Sequence, residues 1–256
     1  MRATTETNIS ACYPHLPPED QQKLAKASLI ETGKCLLEMP KMWGTPFKTC
    51  QQWIHAVSNE HLLTSRLSNS KGLLLILPHL GNWEIVNHYL VGQTKLTAMY
   101  KPAKQPLLEQ VILKARSLPN TDMVPANATG VKAVLKTLKA GGTSVLLADQ
   151  EPTPPSGLFV PFFGVPAYTG VLAARVVQKT QCQVLIIFGK RLPKARGFEI
   201  CLRSLPSDIS PDHSQEDITT NINQGIEHCV EEARAQYQWE YKRFKRRPDE
   251  AENFYV

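Results

Sequence analysis

A histidine and a glutamate five positions apart, His79 and Glu84, follow an apolar run at residues 73–77 in the string LLLILPHLGNWEIVN. A neutral imidazole can take a proton from an alcohol near neutral pH without a large environmental shift, and a carboxylate on its other ring nitrogen fixes the tautomer. The pair reads as a general-base dyad with no nucleophilic Ser or Cys attached, an arrangement suited to direct transfer of an acyl group onto a hydroxyl. Five residues of continuous helix would turn the two side chains about 140° apart, at 3.6 residues per turn. They meet only if His79 lies in the loop after Pro78 and Glu84 in the first turn of the next helix, where the helix dipole favours an acid. Gly81 allows that bend. Glu84 and His88 have the four-residue spacing of metal ligands on one helix face, but the nearby cysteines offer no third ligand at a recognisable spacing, and no metal or other cofactor is expected.

Positioning such a pair requires strands that end in turns. From Gly72 onward short apolar runs alternate with helical stretches, the pattern of βαβ units and a mostly parallel sheet. Strands are expected at 73–77, 96–100, 121–124, 144–148 and 184–188, with helices at 83–91, 106–117, 130–139 and 169–179. Ahead of them, Pro17-Pro18-Glu19-Asp20 opens an amphipathic helix running to about Met39, and a second helix is expected over 51–66. The rhythm breaks at 150–168, rich in Pro and Gly yet carrying Leu158, Phe159, Phe162 and Phe163. A loop of this length and composition is either a binding element folded over something apolar or a plug on the core. The end of the chain, YQWEYKRFKRR at 237–247, interleaves aromatic and basic residues. It suits either an anionic membrane surface or a terminal segment whose aromatics pack back on the core, the latter favoured for Trp239.

With 256 residues, 42% hydrophobic and 20% charged, the chain is long enough for one α/β domain with a substantial core. The expected organisation is an N-terminal helical part at 1–70, an α/β core at 71–205 and a C-terminal helix with a basic tail at 206–256. Six scattered cysteines without a C-x-x-C read as reduced thiols. The net charge of +6 points to an anionic partner. Nucleic acid is not expected, because no helix-turn-helix, zinc-finger or RNA-binding aromatic signature is present. The longest apolar run is far short of the roughly 20 residues that cross a bilayer, so any membrane contact is expected to be peripheral.

Taken in order, TNISACYP near the start, PHLGNWE, YKP at 100–102 followed by Arg116, LLADQ at 146–150, FVPFFGVPA at 159–167 and QYQWEYKRFKRRP at 236–248 resemble the late acyltransferases of lipid A biosynthesis. These lauroyl and myristoyl transferases belong to the wider lysophospholipid acyltransferase superfamily, and the resemblance covers nearly the whole chain. It implies a single-domain αβα sandwich with a mostly parallel central sheet, like that of glycerol-3-phosphate acyltransferase. It implies transfer of a fatty acyl chain from acyl carrier protein to a hydroxyl of a lipid A precursor at the cytoplasmic face of the bacterial inner membrane. His79 would then be the base and Glu84 its orienting partner, with no covalent acyl-enzyme. The oxyanion would be met by backbone N–H groups near residues 81–83 or by Arg116. Substrate contacts are expected from Asn82, Trp83, Lys101, Arg116, Asp149, Phe159, Phe162, Phe163 and Gly164, with Lys104 in the same basic segment. The family pattern has Arg where Lys101 stands, and Lys loses the bidentate fork that suits phosphate. Family members carry an apolar spanning segment ahead of the TNISACYP-like region, and this chain starts about where that segment ends, which again suggests peripheral attachment to an anionic membrane surface. The alternatives are an acyltransferase for another lysolipid or aminolipid acceptor, or a non-catalytic relative that binds lipid or carrier.

Overall fold

The computed structural model describes residues 1–103, 105–248 and 251–255; the expectation for Lys104 falls outside them. The sheet is built around β2 (Leu73–Ile76), whose four residues are all buried. That continuous apolar run is what a central strand covered on both faces requires. Leu74 and Ile76 join one core with Val134, Val176 and Ile222, while Leu73 and Leu75 point the other way to Ile85, Val86 and Leu202.

On one side of β2 lie β5 (Thr143–Leu146), β3 (Leu96–Tyr100) and β4 (Thr121–Pro125); on the other lie β8 (Gln183–Arg191), β9 (Phe198–Arg203) and β1 (Ile54–Ser58). Among the described residues this makes a seven-stranded sheet, parallel throughout except for the β8/β9 pair. Helices α3 (Phe47–Gln51), α4 (Glu60–Leu67) and α5 (Trp83–Leu90) supply one covering layer. Helices α1 (Arg2–Cys12), α2 (Pro18–Trp43), α7 (Ala128–Lys139), α8 (Leu172–Thr180) and α9 (Gln215–Glu232) lie toward the other, and α6 (Pro106–Arg116) runs along the surface with no buried residue. The α/β architecture with a mostly parallel central sheet is the expected one.

Two expected elements are corrected. The helix over 51–66 is broken by β1, because Ile54 to Ser58 pair with β9, a distant partner that local pattern does not reveal. Asn59 then turns through a positive φ of 58° to start α4. The segment at 150–168 is also less irregular than its Pro and Gly content suggests. Most of it forms the hairpin of β6 (Gly157–Phe162) and β7 (Val165–Gly170), which claims Thr169 and Gly170 and delays α8 to Leu172. Its two-residue turn, Phe163-Gly164, has positive φ at both positions (50° and 74°), the mirror-image turn whose twist matches paired strands.

Candidate functional site

The chemistry sits where two neighbouring parallel strands end. β2 and β5 run in register, Ile76 beside Leu146, and three residues beyond each lie His79 and Asp149. The Asp149 carboxylate accepts from the His79 backbone N–H (2.8 Å) and lies 2.8 Å from His79 Nδ1. The imidazole keeps 13% of its side-chain surface and the carboxylate 1%, so solvent reaches the imidazole but not its partner. Burial drives the Asp149 carboxyl upward, but the imidazole, the His79 N–H and the Arg243 guanidinium outweigh it and hold the group below the usual carboxylate range. An ionised Asp149 fixes the proton on Nδ1 and leaves the Nε2 lone pair outward. There the Gln150 amide lies 3.3 Å from Nε2, and its nitrogen also donates to Gln238 Oε1 at 2.9 Å.

The turn bearing His79 is locked from the C-terminal end of the chain. Gly81 N–H donates to the Gln236 carbonyl, Asn82 N–H to the Gly189 carbonyl, and Gln238 N–H to the His79 carbonyl. Gly81 has φ of +66°, and a Cβ there would stand 2.1 Å from the Gly189 oxygen, so this close crossing tolerates no side chain. Asn82 caps α5, its Oδ1 accepting from the N–H groups of Glu84 and Ile85, while its Nδ2 donates to Glu38 (2.9 Å). Glu38 and Glu31 in turn clamp the buried Arg191 guanidinium, tying α2 to the same turn.

Glu84 does stand in the first turn of α5 and His79 in the loop before it, yet the two do not pair. The Glu84 carboxylate faces the far side of the turn and takes Arg116 through Nε (3.1 and 3.2 Å) and Nη2. The expected His79–Glu84 dyad is therefore replaced by His79–Asp149, and Glu84 orients a guanidinium instead of an imidazole. His88 is buried and stacked on Phe47, and no cluster among the described residues could hold a metal.

Two cavities meet at Trp83, whose ring packs edge-on against His79 with centroids 5.0 Å apart. A cleft of about 520 Å³ runs between β3, β5 and α5, walled by Leu90, Leu96, Ala98, Met123 and Val145 and rimmed by Glu84 and Arg116. A second pocket of about 440 Å³ opens on His79 between α2 and the C-terminal segment; Glu31, Thr32, Gln238 and Glu240 give it polar groups alongside Leu36, Met39 and Tyr237.

Several expected contacts move elsewhere. Phe162 is buried in the core and Phe163 packs against Tyr13 and Trp239; with Gly164 at the hairpin turn, neither lines a cavity. Phe159 is exposed and stacks on Tyr168, away from both cavities. Phe162 and Phe163 are thus the plug, not the groove, because the hairpin packs them against the core and the C-terminal segment, while Phe159 stays exposed. Lys101 is exposed beyond the end of β3 and lines neither cavity. The basic tail also folds inward. Trp239, Phe244 and Arg243 are buried, Arg243 donates to the Tyr168 carbonyl and Thr169 Oγ1, and Arg246 pairs with Glu151. Gln150, Gln238 and Arg243 escaped notice in the sequence as parts of the site. The signal for Asp149 was present: LLLILPH and SVLLADQ each place a titratable group a few residues after a buried strand.

Residues 1–246 match the family model described as bacterial lipid A biosynthesis acyltransferase. The chain is similar to a lipid A biosynthesis lauroyltransferase of Escherichia coli, 25% identical over 94% of this chain and 78% of that protein. It is also similar to a lipid A biosynthesis acyltransferase of Haemophilus influenzae, 24% identical over 97% of this chain and 78% of the relative. A lipid A biosynthesis palmitoleoyltransferase of Escherichia coli is 22% identical over 97% of this chain and 80% of its own length.

Proposed function

Since the chain belongs to the bacterial lipid A biosynthesis acyltransferase family and is an acyltransferase, we propose that it moves a fatty acyl chain from an acyl carrier protein thioester to a hydroxyl of a lipid A precursor, with His79 as base and Asp149 as its buried partner. One observation carries this: an imidazole with Nδ1 bound to a buried carboxylate stands beside the junction of two cavities. The acyl chain enters the cleft walled by Leu90, Leu96 and Val145, which brings the thioester carbonyl to Trp83. The acceptor's hydroxyl-bearing ring takes the second pocket, where Gln238, Thr32 and Glu240 supply hydrogen-bonding groups.

Nε2 removes the hydroxyl proton as the oxygen attacks the carbonyl carbon. A C–O bond forms, the carbonyl π electrons move to oxygen, and the imidazolium gains the field of Asp149. Collapse breaks the C–S bond, and the imidazolium returns its proton to the departing thiolate. The protein carries no covalent acyl group at any point. The oxyanion needs fixed donors; the backbone N–H groups of Gly81, Asn82, Glu84 and Ile85 are engaged within the fold, whereas the Trp83 N–H has no partner among the described residues. The donors left for the developing charge are the Trp83 N–H, where the two cavities meet, and the Arg116 guanidinium, held by Glu84 at the rim of the cleft.

The test incubates the protein with acyl carrier thioester and detergent-dispersed lipid A precursor and weighs the lipid. A gain of one acyl chain, lost in His79→Ala with thermal unfolding unchanged, is the expected result. Retained turnover in that variant, or acyl transfer to water alone, defeats the proposal.

A further inference from the structure

Helices α2 and α6 are neighbours beside the mouths of both cavities, and their outward faces are unusually apolar. On α2, Lys26, Ile30, Lys34, Leu37 and Lys41 recur at three- or four-residue spacing, so they form one stripe, and all are exposed. Leu37 is 78% exposed, and Ile30 and Leu36 are more than half exposed. On α6, Leu107, Val111 and Lys114 make a similar stripe, Leu107 being 79% exposed. Single exposed leucines are ordinary on a protein surface; six large apolar side chains on two adjoining helices, Leu108 included, are not.

The exposed charges on this face are mostly lysines. Lys34 pairs with Glu31 and Lys41 lies over the Trp53 ring, while Lys26, Lys101 and Lys114 have no carboxylate partner among the described residues. Glu31 and Glu38 also clamp Arg191, and Glu109 accepts from the Ala103 N–H. Apolar side chains flanked by lysines that can reach outward form the pattern of a helix lying in the interface of an anionic bilayer. The C-terminal segment lacks that form, since its aromatics are buried and Arg243, Arg246 and Arg247 are bound to the fold.

We infer that the paired outer faces of α2 and α6, and not the basic C-terminal segment, are the surface by which the protein rests on an anionic lipid bilayer. Resting on the proposed function, this explains how lipid substrates reach the site. α2 contributes Leu36 and Met39 to the pocket beside His79, and α6 ends in Arg116 at the rim of the other cleft, so both openings border the proposed contact. A lipid could then pass from bilayer to site without its chains crossing water.

Sedimentation with vesicles of phosphatidylethanolamine and phosphatidylglycerol in low salt tests it, alongside transfer to detergent-dispersed acceptor. L37E and the pair L107E/V111E, all on exposed positions, should each weaken vesicle binding at least about tenfold while keeping most transfer in detergent. The pair K242E/K245E should bind as the unaltered protein does. Unchanged binding of the leucine and valine variants overturns the inference, as does loss of binding confined to K242E/K245E. A dimer in size-exclusion chromatography that L37E splits would also overturn it, because the face would then cover a second copy. Absence of acyl transfer by the unaltered protein, with the vesicle results as expected, would sink the proposed function and leave the lipid-binding face standing.

Discussion

Replacing Asp149 with Asn removes one charge from a buried site without changing its volume. In the native arrangement the carboxylate accepts from both the His79 N–H and Nδ1, at 2.8 Å each. An amide has one oxygen for the two donors, so its nitrogen turns toward one of them. If it faces Nδ1, the ring must accept there, and the proton moves to Nε2, where the base is needed. If the oxygen faces Nδ1, the tautomer survives but the imidazolium formed in the transition state has lost its counter-charge. Unit charges about 4 Å apart interact by about 4 kcal/mol at an effective dielectric of about 20, and about 1.4 kcal/mol is a factor of ten. Asp149→Asn should therefore lower kcat by about a thousandfold, with little change in KM because neither cavity loses a wall. Single-turnover transfer from acyl carrier thioester, read by lipid mass, measures it. Glu84→Gln supplies the contrast: it loosens Arg116 and leaves the imidazole backed, so its pH–rate profile should keep the native shape on the acid side. An Asp149→Asn variant within about tenfold of native kcat, or an exchange of the two phenotypes, would refute the assignment of Asp149.

Ala98→Phe fills the cleft between β3 and β5, and should shift donor preference to shorter acyl chains in a mixed-thioester competition while leaving the His79 pH profile unchanged. His88 is buried against Phe47, and burial lowers its affinity for a proton below that of a free imidazole. The unfolded chain then binds more protons, so stability is full above about pH 6.5 and falls as pH drops through that value; His88→Gln should flatten the thermal-unfolding midpoint between about pH 6.5 and 5. All six cysteines are buried with their thiols pushed upward by desolvation, Cys35 to about 12. Ellman's reagent should find no reactive thiol in the native protein and all six after denaturation.

Much of the architecture could be read from the chain because its strands are short, apolar and evenly spaced. Residues 96–100 form the expected strand, and α5 starts at Trp83 because Asn82 is a capping residue placed just before an apolar run. What escaped the sequence depends on distant partners. β1 exists through β9, and Phe162 and Phe163 belong to the core because α9 and the C-terminal segment pack over their hairpin. Local composition cannot distinguish a greasy loop over a ligand from a greasy hairpin over a core. The place of His79, just beyond the central strand, was legible. The carboxylate beside it was not, because spacing along the chain makes Glu84 the nearer acid while register across the sheet makes Asp149 the adjacent one.

That difference has a geometric cause. In a parallel sheet, residues an equal distance beyond paired positions emerge side by side at the carboxyl edge, where ligands gather in open α/β folds. Ile76 and Leu146 are such a pair, so His79 and Asp149 are placed together by the sheet itself, before any side chain is chosen. Glu84 is reached only by turning through Gly81 and entering α5, and the helix then carries its carboxylate toward α6. The H-x4-E spacing consequently serves two tasks at once. Its histidine lines the pocket beside α2 and is oriented by a carboxylate from a neighbouring strand, while its glutamate fixes the Arg116 guanidinium at the rim of the cleft. For the proposed acyl transfer without a covalent intermediate, this sets a base on one side of the thioester and a cation on the other, with Trp83, which touches both cavities, between the two substrates.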